Sequence, residues 1–170
     1  MAEKAFSTLY EFFADCLDYP SSSLRERVRD GAPRLPDFRP AAGLVEEFAG
    51  FVKMTPLEDI EELYTATFDL QPSCYPYIGY QLFGEDYTRG IFMARLKDCY
   101  RTCGYSCAPE LPDHISVMLR FLAQDKDAEQ GEELVNECII PALRKMAQPL
   151  EERENPYGKV LQALVLYMTM

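Results

Sequence analysis

An all-α fold, a single compact helical domain of about seven or eight helices over residues 1–170, is what this sequence predicts. Three observations carry that expectation. Apolar residues recur at three- and four-residue spacing from end to end. No stretch alternates with a period of two for long enough to make a strand. Residues that start or stop helices, among them Pro20, Thr55-Pro56, Gly104, Asp113 and Asn155-Pro156, fall between the apolar runs.

The elements follow in order. Phe6, Leu9, Tyr10, Phe13, Cys16 and Leu17 share one face of a first helix, which stops at Asp18-Tyr-Pro20. Ser23 and Glu26 have capping-box spacing and predict a short second helix from Leu24 to about Asp30. The proline-rich stretch Gly31 to Pro40 cannot continue it. A third helix is expected from about Ala41 to Lys53. Thr55-Pro-Leu-Glu58 then supplies an N-cap, a first-turn proline and a first-turn acid for a fourth, running to about Phe68. Asp69 to Glu85, with Pro72, Pro76, Gly79 and Gly84, is expected to be one long irregular loop. Asp86 to about Cys103 is the next helix, with Met93, Leu96, Tyr100 and Cys103 as its apolar stripe and Gly104 as its terminating glycine. After a second loop, Asp113 is the expected N-cap of a helix to about Ala123. Polar Gln124 to Glu132 reads as a linker to a helix over about Glu133 to Ala147. Asn155-Pro156 opens the last helix, with Leu161, Leu164, Val165 and Met168 facing inward.

Composition narrows the function classes. Seventeen basic residues against twenty-eight acidic ones give a formal charge of −11. Such a surface repels nucleic-acid phosphates and anionic lipid, and it favours basic partners as well as solubility. No segment reaches the roughly 18–20 consecutive apolar residues of a membrane span. The N-terminal apolar stretch carries Glu3, Glu11 and Asp15, unlike a secretory signal. A cytoplasmic protein is expected, with its six cysteines as thiols rather than disulfides.

Three places carry possible chemistry. Tyr75, Tyr77, Tyr80 and Phe83 lie within nine residues of the long loop, where rings of low rotamer cost either bind a partner or plug the core. The segment Glu110-Leu-Pro-Asp-His114 holds the lone histidine, next to an acid at a helix start. His114 beside Asp113 has the makings of a base, yet no second histidine, nucleophile motif or phosphate-binding glycine loop accompanies it, so an enzyme is not expected. Cys99, Cys103 and Cys107 stand at four-residue steps, with Cys74 or His114 as a possible fourth ligand for a metal or redox site. Their spacing matches neither zinc nor common iron–sulfur patterns, and packing is the alternative. Cys16 and Cys138 fall at packing positions.

The order of Tyr64, Phe68-Asp69-Leu70, the aromatic loop to Gly84, Arg89-Gly90, Met93, Leu96, Tyr100, Gly104 and Leu-Pro-Asp-His over 111–114 resembles the TorD/DmsD/NarJ group of molybdoenzyme assembly chaperones. The likeness is greatest to its nitrate reductase delta-subunit-like branch. The resemblance implies a cytoplasmic, non-catalytic protein. Its partner would be the catalytic subunit of a molybdenum or tungsten oxidoreductase, held through an N-terminal leader of twin-arginine or vestigial type. It would bind no cofactor stably and would assist insertion of the molybdopterin-type molybdenum cofactor into that client. The same resemblance implicates Tyr75, Tyr77, Tyr80, Phe83, Glu110, Pro112, Asp113 and His114 in peptide binding, and gives Arg89 and Gly90 a structural part. The absence of a Trp around Ile139-Ile-Pro-Ala-Leu143 and the density of cysteines depart from the family's usual pattern.

Overall fold

The computed structural model describes residues 2–107, 109–124 and 127–170. Among the described residues ten α-helical segments follow one another: α1 (Ala2–Leu17), α2 (Leu24–Gly31), α3 (Arg39–Met54), α4 (Leu57–Tyr64), α5 (Ile78–Phe83), α6 (Tyr87–Thr102), α7 (Ile115–Gln124), α8 (Ala128–Leu134), α9 (Ile140–Glu152) and α10 (Pro156–Met168). The fold is all-α, as the periodicity predicts. The two segments beyond the expected number, α5 and α8, are short and lie where irregular chain was expected.

The layers follow from which faces are apolar. α1 packs along α7, while α10 contacts both α3 and α9. Leu9, Phe13, Cys16 and Leu17 are buried as their spacing requires; Phe12 joins them, and Phe6, near the start of the helix, stays 39% exposed. On α10, Leu161 and Leu164 are buried, and Val165 and Met168 pack half-buried against the same core. Polar side chains fasten the layers at their margins. Ser7 Oγ donates to the Ala123 carbonyl at 2.8 Å, and Arg120 of α7 reaches Asp15 at 3.3 Å and Asp18 at 2.9 Å. Arg25 donates to the carbonyls of Val52 and Thr55, covering the C-terminal end of α3, where backbone acceptors lack helical partners.

Several expected boundaries move. Ser23 sits in helical conformation and makes no cap bond; its hydroxyl pairs with Ser21 instead. Thr55 does not cap α4 either, because Pro56 occupies that position. The supposed linker is helical from Ala128, capped by Asp127, whose carboxylate accepts from the Gln130 N–H; residues 125 and 126 of that linker lie outside the described residues. A wide π turn, Val135–Ile139, joins α8 to α9. It lies just before Pro141, which has no N–H to donate, and absorbs that break. α9 runs past Pro149 to Glu152, because Leu150 is fully buried against Gly158.

α6 ends as its glycine predicts. Gly104 has φ +70°, its N–H bonds the Arg101 carbonyl, and the Tyr105 N–H bonds that of Tyr100 at 2.8 Å. The Tyr100 and Tyr105 rings meet edge to face at 5.0 Å across this Schellman turn. Leu96 and Tyr100 are buried, but Cys103, already past the last helical residue, is exposed. Among the described residues no helix is long and apolar enough to cross a membrane.

Candidate functional site

The two segments singled out in the sequence meet through the backbone. An antiparallel bridge pairs Tyr77 with His114: the Ile78 N–H donates to the Asp113 carbonyl and the Ile115 N–H to the Pro76 carbonyl, both at 2.8 Å. Residues separated by more than thirty positions are thereby fixed side by side. The stretch expected to be loop is ordered for this purpose, with a 3₁₀ turn at Pro72–Cys74 and then α5. Gln81 secures it from within, donating to the carbonyls of Pro72 and Tyr75.

The expected site residues divide by depth. Glu110 is exposed and Phe83 is 38% exposed; Tyr75, Tyr77 and Tyr80 are half-buried; Pro112, Asp113 and His114 are buried. Only the first two groups present surface to a partner, and the last three act from beneath. Tyr77 OH points to Glu110 Oε1 at 3.5 Å, and the same oxygen accepts from the Leu111 N–H at 2.8 Å. Burial, with Glu110 and Asp113 adding to it, raises the Tyr77 pKa, so the phenol stays protonated and able to donate. Pro112 is held by its carbonyl, which accepts from Tyr100 OH at 2.7 Å.

Asp113 is not the N-cap of α7. Its carboxylate, with no exposed surface, takes Arg89 Nε at 2.9 Å on Oδ2 and Arg89 Nη2 at 3.4 Å on Oδ1. The cap is His114, since α7 begins at Ile115 and His114 Nδ1 accepts the Ser116 N–H at 3.2 Å. Ser116 Oγ lies 2.8 Å from the same nitrogen. This pattern makes Nδ1 an acceptor and assigns the proton of the neutral ring to Nε2. Burial lowers the His114 pKa; Arg120 adds to that, while Glu110, Asp18 and Asp113 pull the other way. A neutral, capping histidine with its acceptor nitrogen engaged is not placed to serve as a base.

Arg89 ties these parts together. Its guanidinium lies 5.3 Å from the Tyr77 ring centroid and 5.8 Å from that of Tyr80. Tyr80 in turn meets Tyr75 at 5.1 Å, and Tyr77 meets the His114 ring at 5.3 Å. Phe83 packs on Phe92 of α6 at 5.7 Å. Tyr75, Tyr77, Tyr80, Glu110, Asp113 and His114 are thus joined through Arg89 and the bridge, with Pro112 next to Asp113 in the chain, while Phe83 makes its contact with Phe92.

A family model described as nitrate reductase delta subunit matches residues 36–161, most of the chain. The chain belongs to the nitrate reductase delta subunit family. A relative from Bacillus subtilis (strain 168), described as "Probable nitrate reductase molybdenum cofactor assembly chaperone NarJ", is 31% identical over 109 residues. That match covers 64% of this chain and 58% of the relative, so less than two thirds of the relative's length is spanned. The fold agrees with a crystal structure described as a redox enzyme maturation protein from Archaeoglobus fulgidus, at TM-score 0.69 and 23% identity over 96% of this chain and 94% of that one.

The cysteines of this delta-subunit family member differ in their surroundings. Among the described residues no three His, Cys, Asp or Glu side chains gather as a metal ion needs. Cys99 bonds to Gln130 of α8 at 3.2 Å, Cys103 faces solvent beyond the helix end, and Cys107 lies after the Gly104 turn, packed half-buried against the core. Cys74 is buried, with its sulfur directed to the Met146 carbonyl. The reversal at Gly104 takes Cys107 off the face that four-residue spacing would have given it.

Arg89, to which the resemblance gives only a structural part, was not expected among the site residues. A signal was there: a cation in the first turn of a helix, where the dipole disfavours it, needs another reason for its place. Phe92 carried no such signal, because one aromatic on a helix of mixed polarity is unremarked without its neighbours.

Proposed function

We infer that this chain is a cytoplasmic assembly chaperone without catalytic activity. It holds the N-terminal leader of an apo molybdenum or tungsten oxidoreductase catalytic subunit, nitrate reductase foremost, and assists loading of the molybdenum cofactor into that client as cargo. The observation that supports this reading is the bridge between Tyr77 and His114, which sets half-buried rings beside the exposed carboxylate of Glu110. Rings offer apolar contact to the hydrophobic part of a leader, and the acid offers a partner for its basic part. The net charge of −11 favours the approach of such a peptide. Family membership and the description of the Bacillus relative point the same way.

The test is a titration of labelled leader peptide against wild type and a Tyr80→Ala/Phe83→Ala double variant. The variant is expected to bind at least about tenfold more weakly, the loss of two partly buried rings exceeding the ~1.4 kcal/mol that tenfold represents. Equal affinities would remove the aromatic segment from the account.

A further inference from the structure

Four rings and one guanidinium form a continuous chain of contacts in this patch, with Tyr75 tilted on Tyr80 and Tyr77 edge to face with His114, and the guanidinium is its middle member, over the rings of Tyr77 and Tyr80. The order is Tyr75, Tyr80, Arg89, Tyr77, His114, with successive separations of 5.1, 5.8, 5.3 and 5.3 Å. Asp113 grips Arg89 from below at two points, and only 19% of the Arg89 side chain is exposed. Arg89 is the third residue of α6, where the helix dipole opposes a positive charge, so its own helix gives no reason for it. The tertiary contacts do. A guanidinium is flat, lies against ring faces and meets a carboxylate through two bonds; an ammonium carries the same charge without the plane.

We propose that Arg89 is the positioning residue of the peptide-binding face. Its guanidinium plane, anchored on Asp113, sets the separation and tilt of Tyr77 and Tyr80, so that recognition depends on planarity at this position and not on charge alone. Arg89 acts through the rings without touching the peptide. Because it neutralises Asp113, Glu110 is left as the carboxylate of this patch that meets a basic group of the partner. The inference rests on the peptide-binding reading given above.

The test compares Arg89→Lys and Arg89→Ala with wild type through two readouts. The first is nitration of individual tyrosines by tetranitromethane, located by mass spectrometry, with the 83% exposed Tyr87 as internal reference. Arg89→Lys is expected to change labelling of Tyr77 and Tyr80 several-fold relative to Tyr87. The second is titration of a basic, amphipathic leader peptide, whose affinity for Arg89→Lys should fall about tenfold. Ethylguanidinium should restore binding to Arg89→Ala, whereas ethylammonium should not. The proposal is overturned if Arg89→Lys labels or binds like wild type, or if ethylammonium rescues as well as ethylguanidinium. If Arg89→Ala does not fold, Arg89→Lys alone decides. If wild type itself fails to bind the peptide, the proposed function falls, and the nitration comparison still judges Arg89.

Discussion

Asp113 has no exposed side-chain surface, and that decides what its removal does. As a helix cap its loss would cost about 1 kcal/mol. As the buried partner of Arg89, its replacement by Ala leaves a largely buried cation without compensation, for which about 3–5 kcal/mol is the usual scale. Urea unfolding of Asp113→Ala should show the larger figure; a loss near that of a cap would contradict the ion-pair account. His114 gives a pH signature. Burial holds its folded-state pKa below the ordinary 6.5, so below that value the unfolded chain binds a proton that the folded chain refuses. The stability held by the neutral cap is present above pH 6.5 and is lost as the pH falls from there through the folded-state value. His114→Asn keeps a capping side chain and removes the titration. Its melting temperature should therefore fall less than that of wild type as the pH is lowered from neutral through this window, and parallel curves would refute the assignment.

At the scale of the element, α5 shows why a loop expectation failed. Its six residues are too few to display a helical period, and the prolines and glycines around it are turn formers by any local reading. What makes it a helix end in the right place is contact: the bridge to His114, the Lys145 Nζ bond to the Gln81 carbonyl at 2.9 Å, and the close approach of Asp113 beneath Gly79. A Cβ at Gly79 would stand 2.7 Å from Asp113 Oδ2 and 2.9 Å from Phe92 Cδ1. Gly79→Ala is therefore expected to push α5 off α6. It should lower the unfolding midpoint and weaken leader binding together, although Ala favours helix over Gly by about 1 kcal/mol at exposed positions. An unchanged melt would show that the contact yields freely. The α6 terminus is the opposite case. There the terminating glycine was legible locally, and the structure follows it with a left-handed turn and adds the tyrosine pair across it.

For the molecule as a whole, charge and cooperativity are the measurable properties. If the acidic surface contributes to leader binding, affinity should decline as salt rises, since screening acts over about 8 Å near physiological ionic strength. The decline should be moderate, because the ring contacts rest on apolar burial that salt does not weaken in the same way. Glu110→Gln should bind more weakly and with a shallower salt dependence; an unchanged slope would place the charge recognition elsewhere. The expectation of one domain has its own check. The buried residues form a connected core reaching from Leu9 to Tyr167, so near- and far-ultraviolet circular dichroism should report one coincident unfolding transition. Two separated transitions would divide the chain.

The sequence by itself determined the helical class, the ends of α6 and the start of α10, and the two segments that form the candidate site. Those features are local: a 3.6-residue period, a glycine that tolerates positive φ, an asparagine whose side chain accepts the Tyr157 N–H two residues on. It did not determine the partner of Asp113, the cap of α7, the helicity of Ile78–Phe83 and Ala128–Leu134, or the place of Arg89 among the rings. Each of these depends on groups far apart in the chain. Asp113 forgoes the cap that its position offers because Arg89, twenty-four residues earlier, arrives with a charge that must be met in a buried place. A cap contribution of about 1 kcal/mol yields to the several kcal/mol that a buried charge left unpaired would cost.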